Sequence, residues 1–227
     1  MFFYSENAVA QNSDPYFSNV SLLLKGDGTN NSTSFIDSSN NNYTVTGFGN
    51  AKISTVQSKF GGSSIYFDGN GDYITIPSDS NTNFGVSEDF TVEGWIYFNT
   101  DGGGGTAALI SKGSQLTNSG WTFYHYFGSL FFGIPYVSND IQASFSPVKD
   151  TWYHLACTRD SVGTIRLFVN GTLVATQVGN TKNYSSSEVV RLGYSHSNNF
   201  LNGYVDDVRV TKGIARYTGS FTPPDAL

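Results

Sequence analysis

The chain has 227 residues, 18 acidic and 12 basic, giving a net charge of −6 and a pI near 4.8. With no cluster of lysines or arginines, that balance excludes a nucleic-acid partner, whose affinity rests on neutralised phosphates, and equally an anionic membrane surface. Serine (29), asparagine (21) and glycine (25) make up a third of the residues, and aromatics supply 15%. This is the profile of a loop-rich, all-β domain with a large aromatic core.

The longest apolar stretch, Phe127 to Val137, is interrupted by Gly128, Ser129, Gly133 and Pro135 and falls short of the ~20 residues a membrane-spanning helix needs. No membrane insertion is expected. The first residues, Met1-Phe2-Phe3-Tyr4-Ser5-Glu6, lack the basic and apolar regions of a signal peptide, so export would need another route or a signal already removed. The single cysteine, Cys157, forbids an internal disulfide and alternates with Tyr153 and Leu155, which marks it as a buried small hydrophobe.

Met1 to Asn19 is polar and aperiodic apart from its aromatics and reads as an N-terminal arm preceding a single domain over 20–227. Five aromatics there, Phe2, Phe3, Tyr4, Tyr16 and Phe17, need a covering surface. Either they fold back on the chain's own sandwich, or they make the arm a contact between copies or within a larger particle.

From Val20 onward, short β-branched and aromatic runs alternate with Gly, Asn, Ser and Asp, and no window keeps a 3.6-residue period. Strands are expected at Val20–Leu24, Tyr43–Thr46, Lys52–Val56, Ser63–Phe67, Tyr73–Ile76 and Phe90–Phe98, then at Thr106–Ser111, Trp121–Phe127, Ser129–Ile134 and Ile141–Phe145. Trp152–Arg159, Thr164–Val169, Thr172–Gln177, Val189–Leu192 and Gly203–Val210 complete the set. Asn170-Gly171, between two β-rich runs, specifies a tight hairpin. So many short strands cannot form one flat sheet, and the fold class is an antiparallel two-sheet jelly-roll sandwich.

Candidate chemistry is sparse. Glu93 stands alone within its strand, with Thr91 and Trp95 as same-face neighbours, and one carboxyl cannot be both nucleophile and proton donor. Adjacent Asp206 and Asp207 should point to opposite faces of a strand. His125, His154 and His196 form no metal or catalytic spacing. The chain is therefore expected not to be an enzyme. Asp68-Gly69-Asn70-Gly71-Asp72 copies the start of an EF-hand loop, but Tyr73 stands where glycine is required, so a turn between two strands explains it.

For sugar binding, flat rings stack on pyranose C–H groups while polar side chains fix hydroxyls. Two strand faces offer this: Glu93, Trp95 and Tyr97 on one, and Tyr124 and Tyr126, opposite the core-facing Trp121, Phe123, His125 and Phe127, on the other. Plain packing against neighbouring loops would account for all of them equally.

Several segments together resemble the laminin G-like branch of the concanavalin A-like lectin/glucanase superfamily. They are Leu22-Leu23-Leu24-Lys25-Gly26-Asp27-Gly28 with Phe35-Ile36-Asp37, the run Ser58 to Tyr73, Asp89-Phe90-Thr91-Val92-Glu93-Gly94-Trp95-Ile96, and Trp152-Tyr153-His154-Leu155-Ala156 leading into the hairpin. The closing segment Gly203 to Tyr217, with Phe221-Thr222-Pro223-Pro224, looks like the end of such modules in bacteriophage and bacterial surface proteins. The resemblance implies a sandwich of a dozen or more strands. It also implies a structural calcium held by Asp206 with Asp27 or its neighbouring backbone, although Asp206 could instead pair with Arg209, Arg191 or Lys212. The function it implies is a non-enzymatic adhesion or structural module. A virion protein is favoured, with other virion proteins or cell-surface glycans as partners and a homo-oligomer through the arm. The alternative is an extracellular, secreted bacterial carbohydrate-binding domain.

Overall fold

In a computed structural model of the chain, residues 14–100, 106–114, 118–135, 137–195 and 199–225 are described. The strands follow in chain order: β1 (Val20–Leu24), β2 (Thr46–Phe48), β3 (Lys52–Ser54), β4 (Ser64–Asp68), β5 (Tyr73–Ile76) and β6 (Phe90–Phe98). Next come β7 (Thr106–Ser114), β8 (Ser119–Tyr126), β9 (Ser129–Ile134), β10 (Ser138–Ser144), β11 (Thr151–Arg159) and β12 (Ile165–Val169). β13 (Thr172–Gln177), β14 (Val190–Leu192), β15 (Tyr194–Ser195), β16 (Asn199–Phe200) and β17 (Asn202–Lys212) close the series. Helix among the described residues is limited to two three-residue 3-10 turns, Phe17–Asn19 and Ser80–Thr82.

Two antiparallel sheets pack face to face. The first runs β13-β12-β11-β6-β17-β4-β3, with β1 also paired to β17, and the second runs β10-β9-β8-β7-β14-β5-β2. Strand alternation sorts the side chains: Val92, Ile96, Phe98, Leu155 and Val205 of the first sheet meet Ile110, Trp121, Phe123, Phe132 and Val190 of the second in one core. The expected all-β sandwich is the fold observed. The Asn170-Gly171 tip carries positive φ at both residues, 48° and 75°, as a type I′ turn demands.

One expected strand moves. Tyr43–Thr46 was to be extended and paired, but the sheet strand is Thr46–Phe48, and the earlier residues make only an isolated bridge, Ile36 to Thr44. Asp37 is the reason. Its Oδ1 accepts the Leu23 and Ser39 N–H groups and its Oδ2 accepts the Tyr43 N–H and the Ser39 hydroxyl. A side chain thus takes a backbone donor that a ladder would have used. In the Asp68–Asp72 loop, which joins β4 to β5, the Asp72 carboxylate accepts the Asn50 and Asp68 N–H groups and the Asp68 carboxylate accepts the Asn70 N–H.

Of the expected N-terminal arm, residues 1–13 lie outside the described residues. Asp14 to Asn19 lie on this chain's own first sheet, Asp14 through ion pairs with Arg209 and Arg216 and Asn19 through a 3.1 Å bond from Nδ2 to the Lys212 carbonyl. Phe2, Phe3 and Tyr4 lie outside the described residues, while Tyr16 and Phe17 stay 41% and 37% exposed.

Candidate functional site

The outer face of the first sheet carries a row of polar and aromatic side chains in strict register. Trp95 on β6 lies opposite His154 on β11 and Asp206 on β17, while Glu93 lies opposite Arg209. Between Asp206 and Arg209 the pairing of β17 with β6 slips, and Asp207 there has φ 46°. This is a β-bulge, with one extra residue on β17. The extra residue interrupts the two-residue alternation of β17 at this point.

Glu93 is not available to a sugar. Its carboxylate receives the Nε (2.9 Å) and Nη2 (2.7 Å) of Arg209 and the Tyr217 hydroxyl (2.8 Å), and His154 Nε2 lies 3.2 Å away. Burial alone would raise its pKa, but the Arg209 guanidinium, then His154 and Arg216, bring it down to about 2. Trp95 is also withdrawn as a stacking platform. Lys59 Nζ sits 4.0 Å from its ring centroid, Phe60 and His154 meet its ring at an angle, and only 8% of the residue is exposed. The loop that covers it is tied down from below, because the Lys59 and Phe60 N–H groups donate to Asp206 Oδ2 at 2.8 and 3.1 Å. Tyr97 is likewise 8% exposed, wedged edge-on between Trp152 and Tyr204.

The other two aromatic candidates stand on the opposite side of the molecule, so the five do not form one site. Tyr124 and Tyr126 face outward from β8 in the second sheet, with Trp121 and Phe123 in the core as alternation requires. Tyr124 lies parallel to Phe131 across the strand pair, centroids 5.1 Å apart and planes 17° apart. Its hydroxyl donates to Asn139 Oδ1 at 2.8 Å, and Gln142 is the exposed cross-strand partner of Phe131. Tyr126 is 45% exposed at the hairpin tip beside Phe127, which was expected to face the core but is 61% exposed, because β8 ends at Tyr126 and a positive φ (39°) at Phe127 breaks the alternation. Phe131 was not foreseen. Its signal was its place between core-facing Leu130 and Phe132, which makes it outward by parity.

Among the candidate metal ligands, Asp206 Oδ1 is buried and has no hydrogen-bond partner. Desolvation, with added repulsion from the carboxylates of Asp207 and Asp27, pushes its pKa up to about 7. Asp27 lies against the same loop, since any side chain at Gly61 (φ 59°) would strike its Oδ1. Two carboxylates and an orphaned oxygen are hard donors suited to calcium, whose further ligands would be backbone oxygens. Among the described residues no three His, Cys, Asp or Glu side chains gather at one point.

Residues 68–214 match the family described as the concanavalin A-like lectin/glucanases superfamily, in its laminin G type. The chain belongs to this superfamily. No curated protein matches. Among solved structures, the binding domain of Paraclostridial Mosquitocidal Protein 1 superposes with a TM-score of 0.66 at 16% identity, covering 91% of this chain and 50% of that one. The receptor binding domain of botulinum neurotoxin D gives 0.63 at 17% identity, covering 91% and 51%. The botulinum neurotoxin serotype D ligand binding domain in complex with N-acetylneuraminic acid gives 0.64 at 17%, covering 91% and 49%. The laminin G-like sandwich therefore spans about half the length of each, and the likeness is one of fold.

Proposed function

We propose that this laminin G-like domain is a non-enzymatic carbohydrate-binding module that uses the outer face of its second sheet. The carrying observation is the half-buried Tyr124, whose ring is backed by the buried Phe131 (8% exposed) and flanked by Asn139 and Gln142, and which is continued by exposed Tyr126 and Phe127. An apolar ring surface for pyranose C–H groups beside amide donors and acceptors for hydroxyls is the composition such sites need. That one of the similarly folded chains, about twice as long, was solved in complex with N-acetylneuraminic acid supports a glycan as ligand. A glycan array with the wild type, Tyr124→Ala and Gln142→Ala tests this. Saturable binding lost in both variants supports it; binding unchanged in both, or no binding by the wild type, overturns it.

We further propose a structural calcium held by Asp206 and Asp27, which would supply a positive charge to the orphaned Oδ1 and pin the 59–61 loop to β17. A second functional reading is an adhesion module carried on a bacteriophage particle, for which the part-exposed Tyr16 and Phe17 would offer a contact surface. Mass spectrometry of purified particles tests that reading.

A further inference from the structure

Arg209 and Arg216 lie side by side beneath the N-terminal segment, their side chains 5% and 7% exposed. Glu93 neutralises Arg209, and Arg216 Nε donates to the Thr211 hydroxyl at 2.8 Å. The second negative charge comes from Asp14. Arg216 grips it bidentately, Nη1 to Oδ1 at 2.9 Å and Nη2 to Oδ2 at 2.7 Å, and Arg209 Nη1 reaches Oδ2 at 3.1 Å. Three charge-assisted bonds from two preorganised guanidiniums are the geometry of carboxylate recognition.

Apart from Asp14 itself, the segment that delivers this carboxylate has few anchors. The 3-10 turn that follows it buries no residue, Phe17 is exposed, Tyr16 keeps its ring 5.4 Å from the Arg216 guanidinium, and Asn19 supplies one bond to a backbone carbonyl. Segments with few buried contacts open at low cost. The arginines are different, because β17 and the Thr211 hydroxyl fix them in place from below.

We propose that the Arg209–Arg216 pair is a carboxylate receptor, filled in cis by Asp14 and open to a carboxylate-bearing ligand when the Asp14–Asn19 segment lifts. The site lies on the opposite face from the Tyr124 platform and does not depend on it. With Asp14 gone, two buried guanidiniums face a single carboxylate, and an external carboxylate gains the whole of that unmet charge.

Chemical rescue in the full-length chain tests this. Asp14→Ala should melt below the wild type. Acetate at ten times its dissociation constant should restore the folding equilibrium about 11-fold, a rise of roughly 3–6 °C, against chloride at equal ionic strength. The wild type, where acetate must first displace Asp14, should gain clearly less than Asp14→Ala. Asp14→Ala combined with Arg216→Gln should not be rescued, which separates a site from general salt effects. Should Asp14→Ala fold poorly, Asp14→Ser, which also lacks the carboxylate and leaves room for acetate, gives the same readout. Glucuronate and a blocked Asp-Pro-Tyr peptide, titrated onto the variant that folds, then tell whether a sugar acid or a peptide carboxylate fits better. Rescue by any of these carboxylates supports the receptor. Absence of rescue, or an equal gain in the wild type and the double variant, overturns it.

Discussion

Replacing Asp206 by asparagine should stabilise the protein at about pH 8 in calcium-free solution. The folded carboxyl titrates at about 7 against 3.8 for an unperturbed aspartate, because burial and two neighbouring carboxylates disfavour its charge. A raised folded pKa means the native state holds the proton more tightly. That contribution is complete below pH 3.8 and is lost as pH rises through about 7. Some three pH units at about 1.4 kcal/mol each place the loss at ~4 kcal/mol, on the order of 10 °C for a chain of this size. Asparagine keeps an oxygen for the Lys59 and Phe60 N–H groups and brings no charge. The variant should therefore melt well above the wild type at pH 8 with chelator and level with it near pH 4. Calcium should narrow the gap, raising the wild type by about 2.7 kcal/mol at 100 times its dissociation constant, which recovers most of the ~4 kcal/mol, and leaving the variant unmoved. Differential scanning fluorimetry across pH 4–8, in chelator and in calcium, reads both effects. The reasoning is refuted if Asp206→Asn destabilises equally at both pH values, or if calcium stabilises both proteins alike.

Glu93→Gln should cost about 3–5 kcal/mol, since it strands the buried Arg209 guanidinium, and urea unfolding would show it. Because its folded pKa lies at about 2 against 4.5, the stabilisation from Glu93 is present above 4.5 and disappears as pH falls through about 2, visible as steep acid unfolding in that window. Gly171→Ala should destabilise by about 1–3 kcal/mol, as the residue has φ 75° and a Cβ there would strike the Phe221 carbonyl; thermal melts check this. Tyr124→Ala should abolish glycan retention on an affinity column while shifting the melting temperature by only a few degrees.

Alternation carried most of the fold into view. It placed Trp121 and Phe123 inside and Tyr124 and Tyr126 outside, and Asn170-Gly171 marked a turn whose type its neighbours required. It failed where a side chain or an extra residue breaks the two-residue period. Asp37 gathers four donors from Leu23, Ser39 and Tyr43, and nothing in its neighbours announces partners 14 residues away. The bulge at Asp207 leaves no local trace either. Arg159 is another such residue. Fully buried, it donates to the carbonyls of Gly85, Glu88 and Lys182 and to Asn180, fastening two loops that sequence reasoning saw only as punctuation. Charged residues that bind backbone across long separations have no periodicity to betray them.

The same limit decides how Glu93 is read. In sequence it is an isolated acid on a central strand, of the kind a glucanase relative would place in a cleft. Retaining glycoside hydrolysis needs two carboxyls about 5–5.5 Å apart, one of them kept protonated near neutral pH by a raised pKa. Glu93 departs from this in both respects. Its partners are guanidinium, imidazole and phenol rather than a second carboxyl, and they drive its pKa down to about 2, where it holds no proton to give. Tyr217, which closes over it, stacks flat on Phe221, and Phe221 donates its N–H to the Gly171 carbonyl at the hairpin tip. Tyr217 and Phe221 thus bury the carboxylate beneath an aromatic cover anchored to the turn that the sequence marks most clearly. Through Arg209 and Tyr217, Glu93 ties the segments at Asp14 and Phe221 to the first sheet.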